Sequence, residues 1–188
     1  MKRFELRLRP GALLFWALVF FLLPEGQAAA LLLPCAVHEL GHLLCLKLLG
    51  LGVSSLNLEL CGLRMDYSGS CGALGHAAAA AAGPLAGIVL YFLLRQLCGE
   101  KAALMAGVSL LLSLFNLLPI YPLDGGRLWR AALCAFLGEE RGGRLQRLTG
   151  DACCGALTAA GLYLMLAGCG AGLFAAGLMT ALLSRREG

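Results

Sequence analysis

Four stretches of 15 residues or more in this 188-residue chain carry no charged residue: 10–24, 67–94, 102–123 and 152–184. A bilayer core asks for about 20 apolar residues in a spanning helix, and several of these runs are long enough. Only 14% of the residues are charged, roughly half the ~25% of an average soluble domain. That scarcity argues against a soluble globular domain, a nucleic-acid-binding module and a disordered segment. The net charge of +4 implies no nucleic-acid partner, because basic residues in membrane proteins chiefly fix topology. The chain reads as an all-α polytopic membrane protein surrounded by membrane lipid.

The pattern predicts about six spans in one domain over 1–188, at 11–23, 28–49, 74–97, 102–119, 152–167 and 172–184. The first is short and is expected to borrow residues from 4–10. A stretch as long as 152–184 divides where Gly168, Gly170 and Gly172 offer a turn. With six spans, thirteen of the fifteen basic residues fall on the side of the termini, and only Arg95 and Lys101 lie opposite. Both termini are therefore expected in the cytoplasm. The start lacks a small-x-small cleavage site, so no removable signal peptide is expected.

Two stretches do not read as spans. Residues 53–70 alternate apolar and polar, with Leu56, Leu58, Leu63 and Met65 interleaved by Asn57, Glu59, Arg64 and Asp66. That period of two, broken at Cys61-Gly62, predicts a small β-hairpin on the cytoplasmic side. Residues 126–148 mix Leu128, Trp129, Leu133 and Phe136 with five arginines, which predicts an amphipathic helix lying at the interface. The nine cysteines are mostly inside apolar runs, where Cys behaves as a small hydrophobe. Cys61 and Cys71 flank the hairpin without the spacing of a zinc site.

Glu39 is the exceptional charge, placed well inside the second span as His38-Glu39-Leu40-Gly41-His42. An ionisable group at membrane depth is costly and marks a functional site by default. Positions i and i+4 share a helix face, so His38 and His42 can bind one zinc ion. Glu39 beside them can take a proton from a zinc-bound water. The plainer alternative, hydrogen-bonded core histidines with a salt-bridged glutamate, requires burying all three groups for no purpose. A catalytic zinc normally takes a third protein ligand. Asp124, after Pro119 and Pro122 and before Gly125-Gly126, could bend back toward the metal or could simply cap the next helix; the residues alone leave both open.

His38-Glu39-Leu40-Gly41-His42 together with Asn116-x-x-Pro119 and Asp124-Gly125 resembles the site-2 protease family of intramembrane zinc metalloproteases. Gly83-Pro84-Leu85 in the third span is similar to the family's central GPxxN segment, with Gly87 where the family has Asn. The order of motifs is most similar to the stage IV sporulation FB type, and the likeness runs along the whole chain. It implies zinc held by His38, His42 and Asp124, with Glu39 as general base. It implies that Asn116 lies near the scissile peptide, although a plain interhelical hydrogen bond is an equal reading of that residue. It further implies a bacterial cell membrane, a membrane-tethered protein substrate such as a sporulation sigma-factor precursor, and the prospect of an inhibitory membrane partner. The hairpin has the alternation that pairing with an unwound substrate strand would need. His76 reads as an interfacial histidine rather than a ligand. No PDZ-like insertion and no CBS domain after Arg186 is expected. The reading from another class is a metal-binding transporter or a regulatory membrane protein without catalysis. Glu39 speaks against it, because metal binding alone needs no general base.

Overall fold

In the computed structural model, described for residues 5–8, 17, 20–59, 62–68, 72–168 and 170–187, six helices and three strands follow one another. The strands are β1 (Glu5–Leu8), β2 (Gly52–Glu59) and β3 (Gly62–Ser68). The helices are α1 (Glu25–Leu48), α2 (Ala73–Leu97), α3 (Ala103–Asn116), α4 (Asp124–Leu137), α5 (Glu139–Leu166) and α6 (Gly172–Glu187). The chain divides into two compact units, 1–115 and 116–188. Most of the expected first span, and Cys61, Cys71 and Cys169, lie outside the described residues.

Among the described residues, α1, α2 and α5 are long and apolar enough to cross a membrane, and Gly172–Ser184 forms a shorter apolar helix. The outer face of α1 presents Leu33, Leu40, Leu44 and Leu48, all more than 40% exposed, while Ala30, Pro34 and His38 on another row are buried. A helix face of bare leucines along this length suits contact with lipid. The helix pattern of the second span thus sorts lipid-facing from inward-facing residues, and the inward row carries the first histidine.

In the first unit, α1 packs on α2 through small residues. A side chain at Gly41 would meet the Ala82 carbonyl oxygen at 2.6 Å and the Ala86 methyl at 2.7 Å. Close backbone approach of this kind replaces the hydrophobic driving force that helices lack in lipid. α1 ends at Leu48 because Gly50, with φ of 72°, turns the chain in a left-handed conformation costly to other residues. The turn leads directly into β2, which pairs antiparallel with β3 from Gly52 opposite Ser68 to Glu59 opposite Gly62.

Three expectations from the sequence need correction. Residues 5–8 are not borrowed by the first span: β1 pairs parallel with β2, Glu5 opposite Ser55 through Leu8 opposite Leu58, so the hairpin is two strands of a three-stranded sheet. Local pattern cannot announce this, because the partner lies some fifty residues away. Residues 126–148 are not one helix. They divide at Gly138, whose φ of 80° closes α4 and opens α5. The charged residues from Glu139 onward continue without interruption into the apolar stretch, giving a helix of 28 residues. The expected span 102–119 is α-helical only over Ala103–Asn116, about 21 Å at 1.5 Å per residue. Pro119 biases the residue before it away from helix, and the chain runs irregular to Leu123.

Candidate metal centre

His38 and His42 stand one turn apart on α1, and their Nε2 atoms are 3.3 Å from each other. Two nitrogens bound to one tetrahedral zinc at ~2.0–2.1 Å would be separated by roughly that distance. The rings meet edge to face, with centroids 4.9 Å apart and planes at 78°. His38 is 5% exposed. The pair therefore fits a metal ion as it stands, with two imidazole nitrogens converging on one point.

α2 holds the second ring in place. His42 Nδ1 is 2.7 Å from the Ala79 carbonyl oxygen, and since a carbonyl can only accept, Nδ1 carries the proton. In a neutral imidazole this puts the lone pair on Nε2, the atom nearest His38. Gly83, one turn further along α2, lies directly against the same ring: an added Cβ would collide with Nε2 and would come within 2.6 Å of Cε1 and 2.7 Å of Cδ2. Pro84 next to it is fully buried and supplies no backbone N–H, so the Ala80 carbonyl loses its helical donor. The Gly-Pro pair, visible in the sequence only as a likeness, thus has a concrete task in shaping the wall around His42.

Glu39 follows His38 directly and is half-buried on α1. His76 is exposed on the first turn of α2.

The second unit positions Asp124 by backbone crowding. The loop before α4 folds over the helix start, with Ile120 N–H donating to the Leu118 carbonyl at 2.7 Å and Leu123 N–H to the Ile120 carbonyl at 2.9 Å; its Tyr121–Pro122 bond is cis. A Cβ on Gly126 would stand 2.5 Å from the Ile120 carbonyl oxygen, and one on Gly125 would be 2.5 Å from the Leu118 oxygen. Only glycine permits that approach. Asp124 is the first residue of α4 and is 8% exposed. Leu123, not Asp124, occupies the cap position, and no side chain caps the helix. An acidic group in a first helical turn is favoured by the helix dipole. Asn116 ends α3 and is half-buried.

Gly87, where the resemblance leads one to expect Asn, is occupied differently. Ser109 of α3 donates its hydroxyl to the Gly87 carbonyl at 2.8 Å, and Ser113 donates to the Ser109 carbonyl at 2.8 Å. Both serines are fully buried. A side chain at Gly87 would run into the Ser113 hydroxyl. These two serines went unnoticed in the sequence, where Ser within an apolar helix is unremarkable.

The whole chain is similar in fold to the site-2 protease from Methanocaldococcus jannaschii, with a TM-score of 0.69 over 100% of this chain and 92% of that one, at 22% identity. The fold is that of a site-2 protease. The sequence model of peptidase family M50 matches residues 98–152, a stretch that includes Asn116 and Asp124 and leaves the two histidines outside. Rip3 of Mycobacterium tuberculosis, which bears a zinc metalloprotease name, is 35% identical over 155 residues, 70% of this chain and 39% of Rip3. The protein sll0528 of Synechocystis, named likewise, is 34% identical over 133 residues, 64% of this chain and 35% of its own length. The chain thus spans about two fifths of the length of Rip3.

Proposed function

We propose that this chain is an intramembrane zinc metalloprotease of the site-2 type. The observation that carries the reading is the convergence of His38 Nε2 and His42 Nε2 within α1, a helix apolar and long enough to cross a membrane. In this reading His38 and His42 supply two imidazole ligands and Asp124 the carboxylate as third ligand, and the relatives' zinc metalloprotease names make Zn2+ the ion. The site-2 protease fold and the family M50 match support the same assignment.

Zn2+ held by these residues would supply Lewis-acid activation of a water molecule and of the scissile carbonyl. Glu39 would take a proton from the attacking water and return it to the leaving amine, the role of a general base that becomes a general acid. Asn116 hydrogen-bonds the substrate beside the scissile peptide and steadies the developing oxyanion. The Ala79 carbonyl keeps His42 in its Nδ1–H form, a second-sphere contact that tunes ligand basicity. The substrate is a membrane-tethered protein whose backbone must be extended at the cut, because a helix hides its amides. Cleavage takes place toward the cytoplasmic face, where water is available. The sheet of β1, β2 and β3 is a ready partner for such an extended strand. A sporulation sigma-factor precursor is a substrate consistent with the resemblance, and an inhibitory membrane protein is a partner of the same standing.

Coexpression of the full chain with a membrane-tethered candidate substrate tests the reading. Cleavage by the wild type and none by Glu39→Gln, with zinc retained in both, is the expected result. Undiminished cleavage by zinc-loaded Glu39→Gln overturns it.

A further inference from the structure

The second unit contains a cavity that the proposed chemistry does not use. Along α5, residues 139–151 carry Glu139, Glu140, Arg141, Arg144, Arg147 and Asp151, whereas 152–166 has no charge. The apolar stretch of α6 runs from Gly172 to Ser184. A cavity of about 350 Å³ is lined by Tyr121, Arg130, Glu139, Gln146, Asp151 and Ser184 among others, so it opens where both apolar stretches give way to charge. That is the depth of lipid headgroups. Its size falls in the usual range for small-ligand sites, about 300–1,000 Å³.

Gln146 gives the cavity a built floor. It is 4% exposed, yet lines the space, and among the described residues its side chain makes no hydrogen bond. Its amide opens onto the cavity, where a bound ligand can hydrogen-bond it. Gly150, one turn on, keeps room beside it: a Cβ there would stand 3.7 Å from Gln146 Nε2.

The lining is of both signs. Arg130 and Arg147 face the cavity together with Glu139 and Asp151, and none of the four is in an ion pair among the described residues. Guanidinium groups recognise phosphate oxygens, and carboxylates recognise an ammonium. A purely anionic headgroup would leave the carboxylates opposed to it. We propose that this cavity binds the phosphoethanolamine headgroup of a membrane phospholipid. The phosphate sits between Arg130 and Arg147, the ammonium is taken by Glu139 and Asp151, and the Gln146 amide hydrogen-bonds the headgroup from below.

The test is equilibrium binding to the purified full chain in detergent, read by titration calorimetry and by the thermal unfolding midpoint. The probes are dihexanoyl phosphatidylethanolamine, dihexanoyl phosphatidylglycerol and inorganic phosphate. The ethanolamine lipid is expected to bind at least tenfold more tightly than the other two and to raise the midpoint. Arg130→Gln with Arg147→Gln is expected to weaken it at least tenfold. Glu139→Gln with Asp151→Asn is expected to erase the preference over the glycerol lipid. All four substituted positions are exposed, so these variants should fold, and circular dichroism confirms it. Equal binding of inorganic phosphate assigns a free-anion site and overturns the proposal. Equal binding of both lipids, binding unaffected by the arginine pair, or no binding at all overturns it as well. None of these outcomes bears on proteolysis, since the readout is binding at a site apart from His38 and His42.

Discussion

His42 donates an Nδ1–H hydrogen bond to the carbonyl of Ala79 at 2.7 Å, and with that one bond α2 decides which nitrogen of a histidine on α1 can bind a metal. Orientation by a backbone carbonyl is stiffer than by a side chain, because the acceptor is locked in a helix. The contact is also invisible to any mutation of Ala79 that keeps its backbone. Its consequences must be tested through the neighbours that hold the two helices together.

Gly83 is the most direct of these. Gly83→Ala places a methyl against the His42 imidazole, which must swing away from both Ala79 and His38. Zinc affinity is expected to fall about 10- to 100-fold, the usual cost of a disturbed outer shell. Zinc content measured by mass spectrometry against chelator concentration checks this, with circular dichroism showing that the helices remain.

Glu39→Gln separates chemistry from binding. The amide cannot accept the water's proton, so cleavage should drop by about 10²–10⁴, while zinc content stays at the wild-type level. A substrate-cleavage assay and a zinc measurement on the same preparation provide both readings.

Asp124→Ala distinguishes ligand from helix-end residue. Loss of a third ligand should release zinc at chelator concentrations at least tenfold lower than in the wild type. An unchanged zinc affinity with a slightly lower melting temperature would instead leave Asp124 with the helix dipole alone.

Gly126→Ala should be destabilising regardless of metal. The added Cβ meets the Ile120 carbonyl oxygen at 2.5 Å, and relieving it requires the loop over α4 to lift. A loss of about 1–3 kcal/mol is expected, as for other overpacked positions, read as a lower unfolding temperature in the presence of chelator.

Gly87→Asn tests the serine pair on α3. Alone it should destabilise, because its Cβ overlaps the Ser113 hydroxyl. Combined with Ser113→Gly it should recover part of that loss, a coupling of about 0.5–3 kcal/mol expected only for residues in contact. A double-mutant cycle in thermal unfolding measures it.

How much of this could be read from the residues differs between elements. The apolar runs announced long helices because a helix in lipid must satisfy its own backbone, so hydropathy and length are sufficient. The hairpin was legible from its period of two, while β1 was not, since four residues next to basic ones look the same whether or not a strand lies alongside. The break at Gly138 was hidden because arginines and leucines are interspersed on both sides of it, and only the backbone's φ of 80° marks the turn.

At the candidate site the sequence by itself determined which groups stand together: His38, Glu39 and His42 on one helix, in a spacing that puts both imidazoles on one face. It also supplied Asp124 and Asn116 as candidates through the motif they share with known proteases. Only the tertiary structure decided why Gly83 is glycine, which nitrogen of His42 carries its proton, and why Gly87 has no side chain. Those depend on the distance between helices that are adjacent in space and about forty or twenty residues apart in the chain. Periodicity fixes which face of a helix points inward; it does not say what atom waits there.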